Sequence, residues 1–101
     1  MSTAVTDNPA ESRFEISVDD ELVGYLEYQE DDGDYAIPHT RIFPQFRHRG
    51  LGATLVLNSL EAIRDRRGRV LPYCSFVPKI IRDNPEFADL VPESERASFG
   101  V

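Results

Sequence analysis

Arg47-x-x-Gly50-x-Gly52, inside the run Phe43 to Thr54 (F-P-Q-F-R-H-R-G-L-G-A-T), is the stretch whose residue types and spacing point most directly to chemistry. Two glycines remove side chains that would hold an oxygen-rich ligand off the backbone. Arg47 and Arg49 add positive charge. A helix opening here leaves its first N–H groups without internal partners, at the positive end of the helix dipole. Together these features make a cradle for a phosphate or pyrophosphate. Two other phosphate loops do not match. The dinucleotide fingerprint needs a third glycine, and the Walker loop needs a Gly-Lys-Ser/Thr that is absent. An ordinary helix start with two glycines is the plain alternative.

Three further side chains could take part in chemistry. Cys74, the single cysteine, could serve as a nucleophile or a proton donor, or simply as a small apolar residue at a strand end. His39 is of the type best suited to general-base work near neutral pH, and also of a type that often serves as a hydrogen-bonded structural residue. If side chains alternate, His39 shares a face with Arg41. His48 lies within the glycine-containing loop, either touching phosphate or exposed to solvent. Asp31, Asp32 and Asp34 crowd one hairpin tip, where they either steer a cationic amine or form a solvated turn. No metal is expected.

These residues need elements to position them. Arg13 to Val18 alternates apolar Phe14, Ile16 and Val18 with Arg13, Glu15 and Ser17, which predicts a half-buried strand. Leu22 to Tyr28 reads as a second strand, followed by the hairpin signal Asp32-Gly33. Tyr35 to Phe43 is the third. Pro38 inside it predicts a bulge, an edge or an interrupted ladder, because proline donates no hydrogen bond. Leu51, Leu55, Leu60 and Ile63, joined by Val56, predict a helix over Gly50 to Arg67, with Gly68 as its left-handed terminator. Val70 to Cys74 is a short strand broken by Pro72. Phe76 to Asp83 predicts a second helix with Pro78 in its first turn, stopped by Asn84-Pro85. Glu86 to Val91 adds a helical turn.

The order is an antiparallel three-stranded meander, a long helix, a fourth strand and short C-terminal helices. That is an α+β protein, a mixed α/β layer rather than a doubly wound sheet. Residues 1 to 12 are expected as a flexible leader, 13 to 91 as the folded domain, and 92 to 101 as a frayed tail.

The 101 residues allow one modest core. With 41% hydrophobic and 29% charged residues the composition is that of a globular domain. No apolar run approaches the roughly 20 residues of a membrane span, and no signal-peptide pattern opens the chain. A lone cysteine fits a reducing cytoplasmic setting. The net charge of −7 argues against nucleic acid, but its distribution is uneven. Residues 1–40 hold 11 acids and one base, whereas 41–69 hold seven arginines and two acids, a local +5. Such a chain concentrates cations for a local anion on a body that otherwise repels anions. Arg64, Arg66, Arg67 and Arg69 also fit the end of a helix, where cations are favoured. An RNA- or protein-binding role for those four arginines is disfavoured by the acidic remainder.

The sequence as a whole resembles the GNAT superfamily of N-acetyltransferases. Arg47-x-x-Gly50-x-Gly52 matches its (Gln/Arg)-x-x-Gly-x-(Gly/Ala) signature. The stretches H-T-R-I-F-P-Q-F-R-H-R-G-L-G and L-P-Y-C-S-F-V-P-K-I-I-R-D-N-P-E-F-A-D-L resemble the very short, single-domain GNAT-like subfamily. The similarity runs from Phe14 to Val91. It implies a truncated GNAT-like fold and acetyl-CoA as cosubstrate, with an amine acceptor that the sequence does not identify. It implies that amides from Arg47 through His48, Arg49, Gly50, Leu51 and Gly52 to Ala53 hold the pyrophosphate. By the same resemblance, Ile42 and Phe43 pair with the pantetheine arm, one of their amides polarises the thioester carbonyl, and the thioester lies near Cys74, in a split between the third and fourth strands. The chain departs from the pattern at three places. Ile80-Ile81 stands where a tyrosine acid is common, Phe87 where tyrosine is frequent, and Asn84 where histidine is frequent. A non-catalytic acyl-CoA-binding module is the alternative consistent with those departures.

Overall fold

The computed structural model describes residues 2–101; Met1, the first residue of the expected leader, lies outside them. Five strands form one sheet in sequential order: β1 (Thr3–Asn8), β2 (Arg13–Val18), β3 (Glu21–Asp31), β4 (Asp34–Ile42) and β5 (Arg69–Leu71). The first four run as an antiparallel meander, and β5 joins β4 in parallel after the crossover helix α1 (Leu51–Asp65). α2 (Phe76–Asp83) packs beside α1, and a short α3 (Arg96–Phe99) closes the chain.

The core lies between α1 and one face of the sheet. Leu55, Val56, Leu60 and Ile63 are fully buried against Phe14, Ile16, Leu26, Ile37 and Val70. Each such side chain contributes roughly 1.5–3 kcal/mol by leaving water. α2 adds Val77, Ile80 and Ile81. Among the described residues, no helix packs on the opposite face of the sheet. There Tyr25 stands 6.2 Å from the rings of both His39 and Phe43, with the Arg13 guanidinium 4.7 Å above it.

Pro38 has the effect its chemistry predicts. Glu27 pairs with His39 and Gln29 with Ala36, so one β3 residue faces two on β4, a bulge at Ile37-Pro38. β5 pairs with β4 only over Asp34–Ala36. One further bond, from the Cys74 amide to the Ile37 carbonyl (3.0 Å), closes this pairing. Beyond it, the outer edge of β4 from His39 to Ile42 separates from β5, and the sheet splits.

Both ends of the chain differ from expectation. The predicted loose leader contains β1, which pairs with β2 along its whole length. Its short polar sequence shows no strong alternation; what fastens it is distant in the chain. Asp7 accepts a hydrogen bond from the Tyr28 hydroxyl (2.7 Å) and pairs with Arg66 (2.8 Å). The expected frayed tail forms a turn at Glu93–Glu95 and then α3, with Phe99 and Val101 packed on the core. The Arg96 guanidinium donates to the Val91 carbonyl (2.9 Å). The meander therefore has four strands rather than three.

The end of α1 also differs in detail. The left-handed residue is Arg67 (φ 58°), not Gly68. The Gly68 amide donates to the Ile63 carbonyl and the Arg67 amide to the Arg64 carbonyl, which completes a Schellman motif. Glycine is needed at 68 for space. A Cβ there would lie 2.9 Å from both Ile63 and Tyr35.

Candidate functional site

The split between β4 and β5 opens a groove of about 560 Å³, lined by His39, Thr40, Arg41, Ile42, Arg47, Gly52 and Phe76. One wall is a strand edge; the other is the first turn of α1. The strand edge follows from the bulge, which ends the pairing with β5. The turn follows from Pro44–Phe46, a short 3₁₀ turn that reverses the chain after Phe43.

At the α1 start, Gly50 is the N-cap residue with φ 76°, a left-handed conformation that side chains resist. No side chain caps the helix, and no acidic residue sits in its first turn. The amides of Leu51, Gly52 and Ala53 therefore face outward at the positive end of a 15-residue helix. Gly52 serves another purpose. A Cβ on it would meet the Phe76 ring at 3.1 Å, so its absence lets α2 approach and keeps the floor of the groove low. Arg47, His48 and Arg49 are exposed around this turn, with Arg49 5.7 Å over the Phe46 ring. His48 itself has φ 67°.

Ile42 and Phe43 divide the roles expected of them. The Phe43 amide donates to the Val23 carbonyl (2.9 Å), so it is committed to the β3–β4 ladder and cannot polarise a ligand carbonyl. The Ile42 carbonyl instead faces the groove, where Arg47 Nε donates to it (3.3 Å). Because the N–H and C=O of one strand residue point to the same side, the Ile42 amide faces the groove as well.

Cys74 and His39 are not brought together. Cys74 is half-buried and shares a hydrogen bond with Thr40 through Sγ and Oγ1 (3.3 Å). Thr40 lines the groove, so the thiol stands one side chain back from it. His39, one residue earlier, alternates to the other face of β4 and sits exposed beside Tyr25. Thr40 follows His39 at the head of the stretch H-T-R-I-F-P-Q-F-R-H-R-G-L-G, and its contact to the thiol depends on where β5 ends. The positions where the family pattern carries tyrosine hold no hydroxyl in this chain. Ile80, Ile81 and Phe87 are buried in the core, Asn84 donates to the Ile80 carbonyl (2.9 Å), and exposed Tyr73 packs edge-on against Phe99.

The arginines near the two ends of α1 differ in their pairing. At the far end of α1, Arg64 pairs with Asp89 (2.8 Å), Arg66 with Asp7 (2.8 Å) and Arg69 with Asp34 (2.5 Å). Hydrogen bonds to Tyr35 and Asp7 raise the Arg66 pKa. These cations are structural. Among the described residues, Arg41, Arg47 and Lys79 line the groove or its continuation without a carboxylate partner, and exposed Arg49 lacks one too; so do Arg67, Arg82 and Arg96 elsewhere, the last two donating to the Gly100 and Val91 carbonyls.

The combination defines a class: a truncated GNAT fold, in which a helix start and a splayed strand edge face one cleft. A family model described as GCN5-related N-acetyl-transferase matches residues 13–90, and the chain belongs to that family. Among solved structures, a GCN5-like protein from Staphylococcus aureus determined by NMR is similar, with 20% identity, a TM-score of 0.66, and coverage of 88% of this chain and 87% of that one. A GNAT-family crystal structure from Desulfovibrio desulfuricans matches at 25% identity and a TM-score of 0.52, over 59% of this chain and 41% of that one. No curated protein matches the sequence.

Proposed function

We propose that this chain binds acetyl-CoA in the groove and transfers its acetyl group to an amine, in the cytoplasm. The observation that carries this reading is the uncapped, acid-free first turn of α1, facing the same cleft as the unpaired edge of β4. The residues present fit the coenzyme. The amides of Leu51, Gly52 and Ala53, flanked by Arg47, His48 and Arg49, would hold the pyrophosphate. The free edge at Thr40 and Ile42 would bind the pantetheine arm as an added strand.

Acetyl-CoA supplies an activated thioester when bound. The protein's part is to orient and to manage charge and protons. The Ile42 amide donates a hydrogen bond toward the acyl carbonyl, a role that Phe43 cannot share. The Cys74 thiol, one side chain back from the groove, would pass a proton toward it through the Thr40 hydroxyl. His39, exposed beside Tyr25 and lining the groove from β4, would take one from an approaching ammonium.

A second reading, an acyl-CoA-binding module without turnover, is favoured by the buried, hydroxyl-free residues at Ile80, Ile81 and Phe87. Cys74→Ala and His39→Ala separate the two. Under the enzyme reading both variants bind acetyl-CoA, and at least one loses amine-dependent thiol release. A wild-type protein that binds acetyl-CoA tightly yet releases thiol with no amine of a broad panel belongs to the second reading.

A further inference from the structure

The groove wraps around the free edge of β4. Thr40, paired opposite the core residue Leu26, lines it from the α1 side, and His39 and Arg41, paired opposite Glu27 and Tyr25, line it from the other. On that second face, four charged side chains surround Tyr25 and His39. Two of them are committed to each other: Arg13 Nε donates to Glu15 (2.8 Å), which also accepts from Asn8 (3.1 Å). The other two are not. Glu27 is half-buried, stands directly across from His39, and has no ion pair among the described residues. Arg41 is exposed and equally unpaired, its guanidinium 5.7 Å over the Phe43 ring, on the side away from His39. The proposed function gives neither residue a task.

We propose that Glu27 and Arg41 select the acceptor, a primary amine whose chain carries a carboxylate or phosphate at its far end; this rests on the acetyl-transfer reading above. Glu27 draws the ammonium to His39. As the C–N bond forms and the C–S bond breaks, the ammonium gives up two protons; in net, one goes to His39 and the other to the coenzyme sulfur. Arg41 meets the far end, where a free guanidinium suits a planar carboxylate or a phosphate. His39 and Arg41 are two residues apart on one face, about 7 Å along the strand, which asks for roughly five bonds between nitrogen and anion. An α-amino acid, with both charges on one carbon, is too short to reach both. A diamine would set a second cation against Arg41.

Initial rates of thiol release from acetyl-CoA with 5-aminopentanoate, 3-aminopropyl phosphate and pentylamine test the assignment. Wild type is expected to use the better anionic amine with kcat/KM roughly tenfold above pentylamine, the order of one charge-assisted contact near the surface. Which of the two anions is preferred separates carboxylate from phosphate. Arg41→Ala should bring the favoured amine down to the level of pentylamine with no change in Tm, and Arg41→Lys should restore part of the gap. Glu27→Gln should lower all three amines alike, because all share the ammonium. Apart from turnover, the favoured amine should shift the NMR amide signals of Glu27, His39 and Arg41 in protein saturated with coenzyme A. Thiol release with pentylamine as fast as with the anionic amines, or a preference that survives Arg41→Ala, would overturn the acceptor assignment alone. Those amide shifts without thiol release from any of the three would support the surface and overturn the transfer reading. Neither shifts nor release, with coenzyme bound, would overturn the assignment.

Discussion

The two ends of α1 carry the same kinds of residue put to opposite uses. At its C-terminal end, arginines 64, 66 and 69 each meet a carboxylate, exposed Arg67 alone meets none, and a glycine makes room for packing. At its N-terminal end, arginines 47 and 49 meet none, and the glycines keep backbone accessible. An arginine whose neighbours already satisfy it contributes to the fold. One left unsatisfied beside unpaired amides is available to a ligand. Net charge therefore says little about what an acidic protein binds; the local pairing of its cations says more.

Substitutions should affect affinity at one end of the helix and stability at the other. The largest effect is expected from Gly52→Val, which intrudes on the Phe76 ring and fills the floor of the groove. Acetyl-CoA affinity should fall on the order of a hundredfold, the loss of about two charge-assisted hydrogen bonds. At the other end, Gly68→Ala crowds Ile63 and Tyr35 and should cost about 1–3 kcal/mol of stability by overpacking, with affinity unchanged. Calorimetry and thermal melts on the same samples read both.

Asp7→Ala comes next. It strips partners from Tyr28 and Arg66 and should cost about 1–2 kcal/mol, since the pair is only partly buried. In a domain of this size each kcal/mol lowers Tm by about 4–8 °C. Coenzyme affinity should hold. Arg47→Ala or Arg49→Ala should do the reverse, weakening acetyl-CoA by roughly tenfold or less, more at low salt, with Tm unchanged. If Arg66→Ala weakened the coenzyme as much as Arg47→Ala does, the distinction between the two ends would be lost.

The smallest expected effect concerns pH. Burial, then the hydrogen bond to Asp7, pushes the Tyr28 phenol up to about 12. A pKa raised by folding stabilises fully below the unfolded value, about 10, and the contribution is lost as pH climbs through about 12. The Tm difference between wild type and Tyr28→Phe should therefore be steady below pH 10 and shrink above it. A difference that widens with rising pH would remove Tyr28 from the anchoring of β1.

What sequence alone makes legible is what local chemistry determines. Pro38 forces the bulge because it has no N–H, and the spacing of Leu51, Leu55, Leu60 and Ile63 can bury only one helical face. Gly50 needs its backbone freedom, and its position shows the helix start. β1 is different, because its anchor is Asp7 against Tyr28 and Arg66, contacts that no periodicity encodes. The tail is likewise held by Phe99 and Val101, two apolar residues too sparse to form a pattern. In the site, the cradle could be read from Arg47 to Ala53. The separation of His39 from Cys74 could not, because it depends on which face of β4 each side meets after the bulge. The loss of Phe43 as a donor depends equally on register, which assigns its amide to Val23.

The most direct test is to follow backbone amide signals along α1 by NMR while acetyl-CoA is added. Saturable shifts are expected at Leu51, Gly52 and Ala53, with Arg64 to Arg69 unmoved. Shifts at the arginine-rich end with none at the helix start would contradict the proposed binding at that turn.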